Sequence, residues 1–169
     1  VMASLFAALA HVENIAEGSL PQPAAEERAQ PVKNPLALVQ PMPTLGAPCP
    51  RFRGTTVDGL RVSTSTFKGK PFLIFLGSLR SSMTREMRRI LYGYLDSKSK
   101  EDRQAFNVIE IYADRSQHLR EELLRGGRFQ GLAVADAKDE LRRTLSVPFA
   151  PYLLGYDGKH SLVVFTGYK

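Results

Sequence analysis

Hydrophobic positions follow two different rhythms along the chain, and a third stretch has none. Residues 2–16 space Leu5, Phe6, Leu9, Val12 and Ile15 as one apolar stripe, which predicts a short helix. From 18 to 50 no period is visible. Eight of the 11 prolines lie between Pro21 and Pro50. Each fixes φ and removes a backbone donor, so an extended arm is expected, anchored by Leu36, Leu38, Val39, Met42 and Leu45. Beyond Phe52 the pattern becomes that of a folded body. Asp58-Gly59 predicts a two-residue hairpin turn between Thr55–Val57 and Leu60–Val62. The continuous apolar run Phe72–Leu76, entered through Lys68-Gly69-Lys70-Pro71, predicts a strand buried on both faces. After a turn over Gly77–Ser82, Met83, Met87, Ile90, Leu91 and Tyr94 fall on one face of a helix spanning Ser82–Leu95. A charged loop, Ser97–Gln104, leads to a second strand, Phe106–Tyr112.

The remaining elements are shorter. Leu119–Leu124 predicts a helix ended by Gly126-Gly127, and Leu132–Val134 a short strand or extended link. Ala137–Leu145 predicts another helix, and Pro148 and Pro151 bracket a rigid turn. Tyr152–Leu154 and Ser161–Phe165 predict a closing hairpin, turned tightly at Asp157-Gly158. Strands and helices in this order give an α/β plan with a mixed sheet. The domains are an N-terminal helix and Pro-rich arm over 1–45 and a folded domain over 46–169.

Composition narrows the chemistry. The chain has 169 residues, one Cys and three His, a net charge of +6 and a pI near 9.6. One cysteine excludes an intrachain disulfide or dithiol and any multi-cysteine metal site. His11, His118 and His160 are too scattered to form a ligand set. No metal or cofactor is expected, and no catalytic residue is assigned. Residues 1–50 carry a net −2 and the rest +8, so an acidic arm precedes a basic body. No apolar stretch approaches the ~20 residues needed to cross a bilayer. A chain opening at Val1-Met2 suggests removal of an upstream leader, which with the basic body suggests a mitochondrial location.

The order of motifs resembles the thioredoxin-like fold family, in its thioredoxin-like/peroxiredoxin branch. Gly46-Ala47-Pro48-Cys49-Pro50-Arg51-Phe52 is similar to the family's Gly-x-Pro-x-Pro-x-Phe lead-in. Asp58-Gly59, Phe67-Lys68-Gly69-Lys70 and the strand Phe72–Gly77 follow in family order, as do Ala150-Pro151 and Asp157-Gly158-Lys159. The likeness covers about residues 46–167. It implies a thioredoxin-like mixed β-sheet flanked by helices, a cis Ala150–Pro151 bond, and an active-site turn after the central strand. It also implies a C-terminal helix, for which no sequence follows Gly167 beyond Tyr168 and Lys169. Part of the sheet is then expected to be left for a partner.

The active-site turn departs from the family. Arg80 and Met83 stand where the two cysteines of Cys-x-x-Cys would be. In the peroxiredoxin register they stand at the Thr and the Cys. Dithiol exchange needs a thiolate and a resolving sulfur, and neither residue supplies one. Met83 is expected to pack on the core and Arg80 to be solvated; the alternative is an anion site at the helix N-terminus. Cys49, between two prolines, is expected to be a small inert residue. These features lead to an expected function: a non-catalytic structural subunit of a large, mitochondrial assembly such as a respiratory or ATP synthase complex. Its partners would be other protein subunits, met through the arm and the exposed sheet face. Two alternatives stand beside it. One is a mitochondrial ribosome subunit, with Arg80, Arg85, Arg88, Arg89, Lys98, Lys100 and Arg103 facing RNA phosphate. The other is a divergent thiol oxidoreductase or peroxidase using Cys49.

Overall fold

The computed structural model describes residues 42–125 and 127–167. The expected helix over 2–16 and most of the arm lie outside the described residues. The first elements are the hairpin strands β1 (Arg53–Thr55) and β2 (Arg61–Ser63), followed by a 3-10 turn at Thr64–Phe67. The central strand β3 (Phe72–Gly77) leads into α1 (Ser82–Asp96) and the short α2 (Lys100–Gln104). Then come β4 (Asn107–Tyr112), α3 (Ser116–Leu124), β5 (Leu132–Ala135) and α4 (Glu140–Thr144). The strands β6 (Tyr152–Tyr156) and β7 (Leu162–Gly167) close the fold. The main sheet has the order β5-β4-β3-β6-β7. β3, β4 and β5 are mutually parallel, while β6 runs against both β3 and β7. The Ala150–Pro151 bond is cis, as the resemblance implied.

The apolar run of β3 is explained by two cores, one on each side of the sheet. Phe72, Ile74 and Leu76 point to one, packed with Phe52, Val62, Leu141 and Leu154 beneath the hairpin and α4. Leu73 and Phe75 point to the other, packed with Met87, Leu91 and Leu95 of α1 and Leu119 of α3. Period-two alternation therefore sorts residues between two apolar environments.

Several boundaries differ from the sequence reading, each for a local reason. The hairpin strands do not abut Asp58-Gly59. A wider turn over 56–60 forms because Thr56 N donates to Leu60 O at 2.9 Å and Leu60 N to Thr56 Oγ1 at 2.9 Å. Val57 then leaves the hairpin, and its N–H donates to Ala133 O of β5 at 2.9 Å. The turn at Asp157-Gly158 is also wider than two residues. Asp157 Oδ1 accepts from Lys159 N at 2.8 Å and Ser161 N at 2.9 Å, and His160 takes a positive φ of 64°. Lys100–Gln104 is helical rather than a loop because Ser99 caps it, accepting from Asp102 N at 3.1 Å. The helix expected over Ala137–Leu145 is shortened to Glu140–Thr144, since Asp139 takes a left-handed φ of 59°. No helix follows β7 among the described residues.

Candidate functional site

The sheet has two poles, and they carry different residues. At the C-terminal end of β3 lies the turn where the resemblance placed two cysteines. Ser81 caps α1, accepting from Thr84 N at 3.2 Å. Thr84 Oγ1 in turn accepts from Ser78 N at 3.1 Å, and the buried Asp114 accepts from Leu79 N at 2.8 Å. Gly77 is required there, because a Cβ would meet Thr84 Cγ2 at 2.5 Å. The turn is well built but holds no thiol. Arg80 is exposed, and Met83, expected in the core, is 44% exposed. The inward positions of α1 are instead Thr84, Met87, Leu91 and Leu95, a frame that carries Met83 to the outside.

The chain's one cysteine lies at the other pole. Residues 46–49 run beside the start of β7, with Cys49 N donating to His160 O at 2.8 Å and Leu162 N to Ala47 O at 2.9 Å. β3 and β6 are antiparallel with Phe72 opposite Tyr156. Cys49, whose thiol has Tyr156 and Thr64 as hydrogen-bonding neighbours, therefore sits at the Phe72 end of the central strand. The helix N-terminus is at its Gly77 end. Thr64 links this region by donating to Pro50 O at 3.0 Å and accepting from Phe52 N at 2.9 Å. His160 stacks edge-on against Phe72, with Nε2 3.0 Å from Phe67 O.

Cys49 is buried, with 9% of its surface exposed, and lines a cavity of about 690 Å³. The same cavity is lined by Arg51, Arg53, Lys68, Lys159 and His160. These residues come from three separate stretches of sequence, which is why no motif announced them. Burial pushes the Cys49 thiol up to about 11, with the Tyr156 and Thr64 hydrogen bonds pulling partly back. The thiol is therefore protonated at neutral pH. Because its folded pKa lies above an unfolded thiol's, the unfolded chain releases this proton first. The stabilising contribution is whole below about pH 9 and is lost as pH rises through about 11. Folding stability is expected to fall across that window, by an amount on the order of 2 kcal/mol from this group. Chemical denaturation of the wild type and Cys49→Ala at pH 8, 9, 10 and 11 checks this: the gap between them should close with pH.

Two of the seven basic residues expected to meet RNA are engaged within the chain. Arg88 turns inward over the rings of Tyr92 and Phe129, each 5.0 Å away, and reaches Glu122 at 3.6 Å. Arg89 is engaged by Glu86, accepting its Nε hydrogen bond at 3.0 Å. Among the described residues, no cluster of three or more metal-ligating side chains is present, and no helix is long and apolar enough to cross a membrane.

No protein-family profile matches the chain, and no curated protein matches its sequence. Solved structures do match its fold. The thioredoxin domain of a thiol-disulfide oxidoreductase from Bacteroides vulgatus aligns at 19% identity with a TM-score of 0.61, covering 75% of this chain and 90% of that one. A thiol peroxidase from Chromobacterium violaceum aligns at 17% identity with a TM-score of 0.58, covering 75% and 77%. A hypothetical protein from Sinorhizobium meliloti 1021 aligns at 18% with a TM-score of 0.60, covering 75% and 72%. The chain has the thioredoxin-like fold. It has a single cysteine and so has lost the Cys-x-x-Cys pair. The expected role as a non-catalytic subunit of a mitochondrial assembly is corrected by this comparison. Two of these three structures, the oxidoreductase and the peroxidase, are described as redox proteins. The loss of two cysteines removes one mechanism and leaves a cysteine elsewhere in the same fold.

Proposed function

We propose that the chain is a divergent thiol oxidoreductase working through one thiol, Cys49. The observation that carries this reading is that the only cysteine lines a cavity among basic side chains. The fold's occurrence in a thiol-disulfide oxidoreductase and a thiol peroxidase supports it.

The chemistry is a single-thiol exchange. Cys49 loses its proton and its sulfur attacks one sulfur of a disulfide. A Cys49–sulfur bond forms, the substrate's S–S bond breaks, and the departing thiolate leaves with the electron pair and takes up a proton. A second external thiol then attacks the mixed disulfide and frees Cys49. No resolving cysteine is needed in the chain, because a solution thiol performs that step. The protonated resting thiol makes the first step slow at neutral pH and steeply pH-dependent, since the thiolate is the nucleophile.

Incubation of the whole chain with a small disulfide, followed by intact mass measurement, tests this. One adduct per chain is expected, at Cys49, forming up to about tenfold faster per pH unit between pH 7 and 10. Cys49→Ser should abolish both the adduct and catalysed thiol–disulfide exchange. Exchange activity that survives Cys49→Ser, or a folded chain that forms no adduct even at pH 10, would overturn the reading.

A further inference from the structure

The cavity around Cys49 has a marked charge imbalance. Arg51, Arg53, Lys68 and Lys159 line it, and no carboxylate does. Four arginines outside it have acidic partners, Arg88 with Glu110 and Glu122, Arg89 with Glu86, Arg128 with Asp96 and Arg142 with Asp139, while Arg61, Arg80 and Arg85 make no ion pair among the described residues. None of the four cavity cations has an ion pair or a side-chain hydrogen bond to another described residue. Asp157 in the adjoining turn does not line the cavity and directs Oδ1 to the N–H groups of Lys159 and Ser161. Like charges gathered around a concavity focus a positive field into it and raise the local concentration of anions. Ser63 and Ser65 also line it with their hydroxyls 2.8 Å apart, so one of the pair can donate outward to an acceptor.

We infer that the disulfide substrate taken by this cavity is a small anionic one, a carboxylate-bearing thiol in its oxidised form. The inference rests on the single-thiol reading above and specifies its substrate class. The cations would hold the carboxylates while one sulfur of the disulfide meets Cys49. The volume of about 690 Å³ lies within the range of small-ligand sites.

The test compares three disulfides of different charge at pH 9: glutathione disulfide (anionic), 2-hydroxyethyl disulfide (neutral) and cystamine (cationic). Each rate of Cys49 adduct formation in the folded chain is divided by that of the urea-unfolded chain, which cancels intrinsic reactivity. The expected order is anionic, neutral, cationic, with at least about a tenfold spread between the extremes at low salt. The spread should shrink at least threefold in the double variant Arg51→Gln with Lys159→Gln, and likewise in 0.5 M NaCl, as screening requires. These side chains are exposed, so the variant should keep the wild-type circular dichroism spectrum and melting point. Three equal normalised rates would overturn the inference and leave the single-thiol reading standing. A spread that persists unchanged in the double variant would also overturn it, because the selectivity would then arise elsewhere. No adduct with any of the three would overturn both.

Discussion

Glu110→Ala is expected to destabilise the fold by about 3–5 kcal/mol, the range for leaving a buried ionic partner uncompensated. Glu110 is fully buried in β4, opposite Phe75 of the central strand. Its Oε2 accepts from Tyr92 at 2.6 Å and Tyr112 at 2.7 Å, and its Oε1 from Gln130 N at 2.6 Å and Gly131 N at 3.1 Å. Arg88 lies 4.0 Å away. One carboxylate thus satisfies two phenols, two backbone N–H groups and a cation drawn from α1, β4 and the approach to β5. Burial, followed by the charge of Glu110, pushes both tyrosines well above the ordinary phenol range, so they remain donors through the alkaline region. Alanine leaves the Tyr112 hydroxyl and the Gly131 N–H without their acceptor in a low-dielectric site, while Tyr92 keeps Arg128 O at 3.2 Å, Gln130 N keeps Tyr92 Oη at 3.3 Å and Arg88 keeps Glu122 at 3.6 Å. A domain of this size has about 5–15 kcal/mol in total, so a large fall in melting temperature should be visible by calorimetry. Glu110→Gln should lose less, because an acceptor oxygen remains. Glu110→Leu combined with Tyr92→Phe and Tyr112→Phe should recover part of the alanine loss, because removing both partners avoids unsatisfied buried groups. An alanine variant within 1 kcal/mol of wild type would mean that water enters and replaces the carboxylate.

Gly131→Ala is expected to cost at least about 3 kcal/mol, at the upper end of the overpacking range. An added Cβ would stand 2.0 Å from Val108 O and 2.7 Å from Val108 Cβ. The first obstacle is backbone of β4, which cannot rotate away as a side chain could. Moving the Gly131 backbone instead would pull its N–H from Glu110. The two substitutions therefore act on one network, and their effects should not add. A double-mutant cycle between Gly131→Ala and Glu110→Ala should show a total smaller than the sum by at least about 1 kcal/mol. Full additivity would place the glycine's importance outside this network. Gly59→Ala is a contrasting control, since no atom lies within 4 Å of its Cβ position and only its φ of +90° opposes the change.

The parts of the fold that could be read from the sequence are those with local causes. Phe72–Gly77 announces itself by a continuous apolar run, and α1 by Met87 and Leu91 of its predicted stripe, both of which are buried. Ala150-Pro151 was legible only beside the other family motifs in order. The differences arise where a tertiary contact wins. Val57 was expected in a strand but turns away to bond β5. Helical spacing groups Met83 with Met87 and Ile90, yet the frame set by Thr84 carries it out. The Glu110 network was invisible for the same reason: a single acid in a strand gives no sign that Tyr92 and Gln130 will converge on it. The cavity is the extreme case. Arg51 and Lys159 are separated by over a hundred positions, and Cys49, read as inert between two prolines, gains its interest only from its neighbours in space.

The displaced hairpin turn also affects how copies of the molecule meet. An outer strand with free N–H and C=O groups can template the addition of a strand from another copy. On β5 that row is partly spoken for, because Thr56 bridges Val134 and Val57 N–H occupies Ala133 O. Two residues peeled from a hairpin thus act as a cap against edge-to-edge polymerisation, so the parallel half of the sheet ends within its own chain.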